Sequence, residues 1–386
     1  MISKLVKENK DYVINLRRHF HMNPEPSWKE YETSKYVKEE LEKMNIPYES
    51  IAETGIIATI KGNQEGRTVA LRADMDALEV QEENDCEYAS KNEGIMHACG
   101  HDGHTAMLLG AAKALVELKD DIKGTVKLFF QPAEEMVQGA KKIVEENGLE
   151  GVDNIFGIHL WSDLETGKVN CEKGPRMAAG DYVIVDIEGV GGHGSMPDQG
   201  VDAGVITAAF LLNIQSLVSR EMSPLEAVVL SFGEIKTGTR FNVIPSKAHI
   251  EGTARCFDPE IQDNLPKIIK RYGDYIAESY RGKFNLEYIK GTPPTINEGE
   301  SVKIATEVVK GFLGEDSLAH LEKQTGSEDM AYYLSEIPGA IAFVGCKSEE
   351  KGANFPHHHP KFDIDEDSLE IGTELYVRYA MDFLNR

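Results

Sequence analysis

Cysteine is scarce in this chain. Among 386 residues there are five, at positions 86, 99, 171, 256 and 346. An odd, widely spaced set in a chain of this length does not make a disulfide framework, so the fold must rest on apolar cores. Positive charge is also short: 41 Lys and Arg stand against 65 Asp and Glu, a formal net charge of -24. That balance excludes sequence-independent binding to nucleic acid or to an anionic membrane surface, since both need a positive footprint. The acids are scattered through segments such as EVQEEND and VEENGLE rather than gathered in a tail, the pattern of a solvated surface. No apolar run reads as long enough to span a membrane. The opening MISKLVKENKDYVINL has neither an apolar h-region nor a cleavage-site pattern. The expectation is a cytoplasmic protein without nucleic-acid or membrane partners.

With 41% apolar and 27% charged residues the chain has ordinary globular composition, and its length favours two domains. Leu5, Tyr12, Val13, Leu16 and Phe20 recur at helical spacing, and the helix should stop before the breaker Asn23-Pro24-Glu25-Pro26. Ser27 or a neighbour is positioned to cap a second helix running to about Met44. Strands are expected at 56–62 and 68–78, then a helix over TAMLLGAAKALVELK, a strand within 124–135 and a buried strand at 155–161. Alternating strands and helices imply an α/β domain with a mainly parallel sheet.

Near Met177 the texture changes. Segments 182–189, 227–235 and 248–256 alternate apolar and polar residues, as half-exposed antiparallel strands do, with helical patterns at about 201–220 and 259–280. The α/β texture then returns, with a helix from about 300, a strand at 337–345 and a last helix from about Glu366. The expected organisation is a discontinuous α/β domain, 1–177 and 293–386, interrupted by an α+β insertion at 178–292.

The stretch MHACGHDGH, Met96 to His104, places a thiol and an imidazole around a glycine, as Cys99, Gly100 and His101. Both side chains suit borderline-soft divalent metals. Other candidates stand at the C-terminal ends of the expected strands: Asp74 and Asp76, Glu134 and Glu135, and His159, with His357, His358 and His359 before the last helix. Each has a plain reading by itself: turn acids, helix-starting glutamates, a core histidine, a solvated loop. Together they point to one crevice, because groups at the C-terminal edge of a parallel sheet converge there. Adjacent glutamates also have a chemical use, one as a metal ligand and its neighbour as general base.

These residues lie in the stretches LRRHFHMNPEPSWKE, RADMDAL, MHACGHDGHTAMLLGAA, FFQPAEE, GIHLW, GGHGSMP, FNVIPSKAHIEGTAR, GSEDM and HHHPKFDID. In them the chain resembles the M20 metallopeptidase family, in the amidohydrolase branch of N-acyl-amino-acid, hippurate and auxin-conjugate hydrolases and N-acetyldiaminopimelate deacetylases. The resemblance implies a catalytic domain with an inserted lid through which the protein dimerises, as a homodimer or a dimer of dimers. It implies two divalent ions (Zn, Mn, Co or Ni) held by Cys99, His101, Glu135, His159 and His358. Glu134 would be the base that activates a metal-bound water. His193 would reach from the partner's lid to polarise the scissile carbonyl, and Asn242 and Arg255 would contact the substrate. Where peptidases of the wider family place a metal-binding His two residues before an Asp, this chain has Asp74-Met75-Asp76. Cys99 would then supply the missing ligand and Asp76 would support a ligand from behind, while Asp102 and His104 would cap and pack the following helix. The implied activity is hydrolysis of an N-acyl amino acid. The rivals are a carboxypeptidase or dipeptidase on the same scaffold, a Cys99 nucleophile with a His base, and a metal-dependent binding protein without catalysis.

Overall fold

The strand that ends at Asp74 is buried on both faces over its last six residues, as a central strand flanked by covered faces must be. In the computed structural model, which describes residues 1–386, the chain divides into two compact units. The first comprises Met1–Gly174, Ile296–Glu322 and Asp329–Arg386, and the second Pro175–Thr295 and Lys323–Glu328.

The first unit is α/β. Its seven-stranded sheet runs in the order Tyr48–Ile51, Gly55–Lys61, Lys123–Gln131, Gln64–Asp74, Asn154–Glu165, Gly339–Lys347, Val169–Asn170. The four strands from Lys123–Gln131 to Gly339–Lys347 are mutually parallel, and the outer pairings are antiparallel. Register places Asp74 opposite Gln131, and His159 opposite Phe343. The side chains singled out at the strand ends are therefore delivered to one edge.

The helix His101–Glu117 starts four residues earlier than its apolar run suggests, so His101, Asp102 and His104 are helical rather than in a loop. Nearly every residue from His101 to Leu115 is buried, as expected of a helix that is apolar all round. It crosses Lys10–Met22 at Gly110, where an added Cβ would stand 2.5 Å from Val13 Cγ2. The N-terminal helical run is broken at Asn9 into Ile2–Glu8 and Lys10–Met22. The next helix is Tyr31–Lys43, and Ser27 does not cap it: the Glu25 carboxylate takes the Glu32 and Thr33 N–H groups (3.2 and 2.8 Å). Asp102 and His104 also do more than cap and pack. Asp102 accepts from fully buried Arg17 (2.8 Å) and contacts His21 (2.7 Å), while Arg17 reaches on to Asp363 (2.7 Å).

The second unit is α+β. A four-stranded antiparallel sheet, ordered Val228–Thr237, Lys247–Cys256, Gly180–Glu188, Lys283–Thr292, buries alternate residues on one face. The last of these strands is absent from the sequence expectation, although Phe284, Leu286 and Tyr288 alternate with Lys283, Asn285 and Glu287 in KFNLEYIKGT. Val183, Val185, Ile187, Ala248 and Ile250 share a core with Ile206, Phe210, Leu265 and Ile269 of the helices Ala203–Asn213 and Pro259–Ser279. Asp258 caps the second of these helices by accepting from the Glu260 and Ile261 N–H groups. Contrary to the reading of its apolar runs, the chain has one helical stretch, Ala203–Glu221, apolar and long enough by length and composition to cross a membrane. Its Ile206, Phe210, Ile214 and Leu217 enter the core, which accounts for that composition, while Val205 and Leu212 remain exposed.

Candidate metal centre

Gly100 adopts φ +93, and this left-handed turn sets Cys99 at the end of a loop and His101 at the start of a helix. His101 Nδ1 lies 2.9 Å from the Asp76 carbonyl oxygen. A carbonyl can only accept, so Nδ1 carries a proton and Nε2 is the nitrogen left to face the cluster. That Nε2 is buried with no hydrogen-bond partner. Around it stand Asp74 Oδ1 at 3.8 Å and Glu134 Oε2 and Glu135 Oε1 at 3.9 Å each. His159 repeats the device: Nδ1 is 2.6 Å from the Leu160 carbonyl oxygen, leaving Nε2 to face Cys99 Sγ at 3.7 Å.

Of the three histidines in HHH, one reaches the cluster. His358 sits at φ +63, its N–H donates to the Ala98 carbonyl (2.8 Å), and its Nε2 lies 3.5 Å from Glu135 Oε1. His357 is committed to Ser162 and the Leu160 carbonyl at 3.0 Å each, and His359 stacks on Phe355. His104 is committed as well. Its Nδ1 meets Asp74 Oδ1 at 2.6 Å and its Nε2 accepts the Leu160 N–H at 2.8 Å. Asp74 is further paired with Arg72 at 2.7 Å.

Asp76 stands behind the cluster. Its carboxylate contacts His101 Nδ1 (3.2 Å), accepts the Glu134 and Glu135 N–H groups (3.1 and 3.0 Å) and takes the Ser27 hydroxyl (2.6 Å). One side chain thus orients an imidazole and the backbone of both glutamates. Glu134 Oε1 accepts the Asp329 N–H (3.4 Å).

The electrostatics describe an excess of negative charge. Burial, and then the neighbouring Glu135 carboxylate, push the Cys99 thiol well above its ordinary value. Burial opposes a charge on His101, yet Asp74, Cys99 and Asp76 together outweigh it and raise that imidazole well above the usual range. His159 is driven well below it by burial and then by His104. Protons on Cys99 and His101 relieve the excess; a divalent cation relieves it better, because it converts the thiol to a ligand. The donor set fits such ions. Cys99, His101 and His159 offer atoms within 4.8 Å of one another, and so do Cys99, Glu135 and His358, and His101, Glu134 and Glu135. The orphaned buried atoms His101 Nε2 and Glu135 Oε1 are what a bound cation would satisfy.

The remaining candidates lie in the second unit. His193 is exposed, and its Nδ1 accepts the Ser195 N–H (3.1 Å), so Nε2 carries the proton as a free donor. Asn242 is adjacent, its carbonyl accepting the Gly194 N–H (2.9 Å). Arg255 is not brought to them. It lies eight residues beyond Lys247 on the strand Lys247–Cys256, roughly 26 Å of extended chain, with its guanidinium on Thr253 and the Ala254 carbonyl.

Sequence reasoning passed over Glu30, Arg72 and Asp329. Glu30 is fully buried, and burial followed by the nearby Asp76 carboxylate pushes it up to about 7. Arg72 and Gln131 both bond Asp329 (2.8 Å each). No spacing marks these residues; the sequence signal is their place in LRRHFHMNPEPSWKE, RADMDAL and GSEDM.

Residues 70–382 match the model of Peptidase family M20/M25/M40. The chain is 39% identical to thermostable carboxypeptidase 2 of Saccharolobus solfataricus over 386 residues, covering 99% of this chain and 98% of that one. It is 45% identical over 301 residues to an N-acyl-L-amino acid amidohydrolase of Geobacillus stearothermophilus, covering 78% and 81%. Among solved structures, the Bacillus subtilis YXEP protein, a dinuclear metal binding peptidase from family M20, superposes with a TM-score of 0.87 at 34% identity, over 98% of this chain and 99% of that one.

Proposed function

Because this chain belongs to the M20 family of metal-dependent hydrolases of amide bonds, we propose that it removes the acyl group from N-acyl-L-amino acids at a centre of two divalent ions. The observation that carries the reading is the adjacent glutamate pair. Glu135 Oε1 faces His358, while Glu134 Oε2 stands 3.9 Å from Nε2 of His101. Cys99, His101, Glu135, His159 and His358 would hold the ions, their donor atoms falling into overlapping groups of three. When bound, the ions (Zn, Mn, Co or Ni) acidify water and polarise the amide carbonyl.

The chain's own residues do the rest. Glu134 Oε2 takes the proton of the attacking water while Oε1 stays fixed by the Asp329 N–H, and the same oxygen then delivers that proton to the amine nitrogen of the leaving amino acid. Asp76 keeps His101 and the glutamate backbone in register through both transfers. His193 Nε2–H donates to the carbonyl oxygen as charge develops there. His193 and Asn242 stand at one end of the second unit's sheet and Arg255 at the other, so one copy cannot bring all three to a single small substrate. Two copies can. The helix Ala203–Asn213 leaves Val205 and Leu212 exposed two turns apart, an apolar strip available to such a dimer.

The near full-length carboxypeptidase relative favours a second reading, cleavage of a C-terminal residue from a short peptide by the same centre. A hydrolysis panel of acetyl, benzoyl and indole-acetyl amino acids against dipeptides, with each metal restored in turn to the stripped protein, separates the two. Faster turnover of acyl amino acids is expected. Glu134→Gln should lower kcat by about 10²–10⁴-fold with bound metal nearly unchanged. Substantial activity in that variant would remove Glu134 from the role of base, and alkylation-sensitive, chelator-indifferent activity would replace the metal reading with a Cys99 nucleophile.

A further inference from the structure

Three consecutive backbone N–H groups lead into the glutamate pair, and each ends on a buried carboxylate. Glu134 donates to Asp76 Oδ1 (3.1 Å), Glu135 to Asp76 Oδ2 (3.0 Å), and Ala133 to Glu30 Oε1 (2.9 Å). Ala133 stands at φ +51, a left-handed conformation that a residue with a Cβ enters only when its surroundings hold it there. The same Glu30 oxygen holds a second such residue: Trp28, at φ +64, donates its N–H at 3.0 Å. The other carboxylate oxygen takes the Thr54 hydroxyl at 2.7 Å, next to Ala52 and Glu53, which are left-handed too. Glu30 therefore fastens three strained backbone segments to one point, and one of them carries the general base.

We propose that Glu30 is a positioning residue for amide hydrolysis, holding Ala133 in its left-handed conformation and so aiming Glu134 at the reacting water. The geometry requires a link of this kind. If Ala133 relaxes to negative φ, the peptide plane between Ala133 and Glu134 turns, the Glu134 N–H leaves Asp76, and the Glu134 carboxylate swings away from His101. A purely structural Glu30 would fasten the Trp28 and Thr54 segments equally well with Ala133 in any conformation. The inference rests on the assignment of Glu134 as base.

The experiment compares Glu30→Ala, Glu30→Gln, Ala133→Val, the double variant Glu30→Ala with Ala133→Gly, and Glu134→Gln. Each is assayed for kcat and KM, bound metal per chain and melting midpoint. Glu30→Ala should lose on the order of ten- to a hundredfold in kcat with KM changed less than about threefold, the signature of a misplaced catalytic group. Glu30→Gln keeps an acceptor for the Ala133 and Trp28 N–H groups and should recover most of that loss. Adding Ala133→Gly should restore part of it, because glycine takes positive φ without being held. Ala133→Val leaves Glu30 in place but opposes the left-handed conformation, so it should lower kcat even if Glu30→Ala fails to fold. Wild-type kcat in a folded Ala133→Val variant would overturn the proposal, as would a Glu30→Ala loss that merely follows lost metal or melting and ignores Ala133→Gly. If Glu134→Gln alone kept its activity, the assignment of the base would fail instead.

Discussion

Replacing Arg17 with methionine should destabilise the first unit by about 3–5 kcal/mol at neutral pH. Arg17 has no exposure and sits 2.8 Å from Asp102, 2.7 Å from Asp363 and 3.6 Å from Glu366. Methionine keeps most of the apolar stem but removes the charge, leaving buried carboxylates uncompensated. The loss belongs near the lower end of that range. His21, which Arg17 repels, remains 2.7 Å from Asp102 and gains a stronger claim on it. For a unit of this size the midpoint should fall by roughly 6–10 °C, at about 2 °C per kcal/mol.

The pH dependence has a definite sign. In the native protein burial would raise Asp102 and Asp363, but Arg17 holds both below the ordinary carboxylate range. Their stabilisation is therefore present above about pH 4 and lost as pH falls below it. Without Arg17, burial raises Asp363 and Asp102 keeps only His21 as its partner, so the variant loses stability as pH climbs and that imidazole gives up its proton. The gap between the two proteins should be widest near pH 7.5 and narrower at pH 5. Urea unfolding of the metal-loaded proteins at those two pH values, with metal content measured alongside, reads it directly. A gap under about 1 kcal/mol at pH 7.5 would refute the reasoning, since that is the ordinary value of an exposed ion pair. So would a gap that widens at pH 5.

Two further outcomes follow from side chains close to these. Asp76→Ala removes the acceptor shared by His101 and the two glutamate N–H groups, so metal affinity in a chelator competition should fall by about 10–100-fold; an unchanged affinity would mean that the ligands orient themselves. Gly110→Ala places a Cβ 2.5 Å from Val13 Cγ2 where two helices cross. Overpacking should cost about 1–3 kcal/mol, offset in part by about 1 kcal/mol of helix propensity, and adding Val13→Ala should relieve the clash in a double-mutant melting cycle.

Much of the architecture was legible before any coordinates. The near-continuous apolar runs at 68–74 and 155–161 belong to strands buried on both faces, and the period-two alternation of 182–188 and 248–256 to strands buried on one. The strand Lys283–Thr292 is the exception: its period-two alternation runs only over 283–288 and ends where Tyr288 and Ile289 stand side by side. The start of the helix His101–Glu117 was misplaced because its first turn is polar by composition yet buried by position. In the metal centre the residue types and their places at strand ends were readable. The choice of atoms was not. Which nitrogen of His101 or His159 faces the cluster depends on which carbonyl lies behind the other, and for His101 that carbonyl, of Asp76, comes from 25 residues away.

By itself, then, the sequence determined the α/β class and the family, because periodicity, turn chemistry and motif order are properties of neighbours along the chain. Only the tertiary structure decided that Asp102 answers Arg17 and that Glu30 reaches Ala133, 103 residues away. Those pairings join side chains far apart in sequence, and a buried polar group can choose its partner only after the sheet has been ordered and its two faces covered.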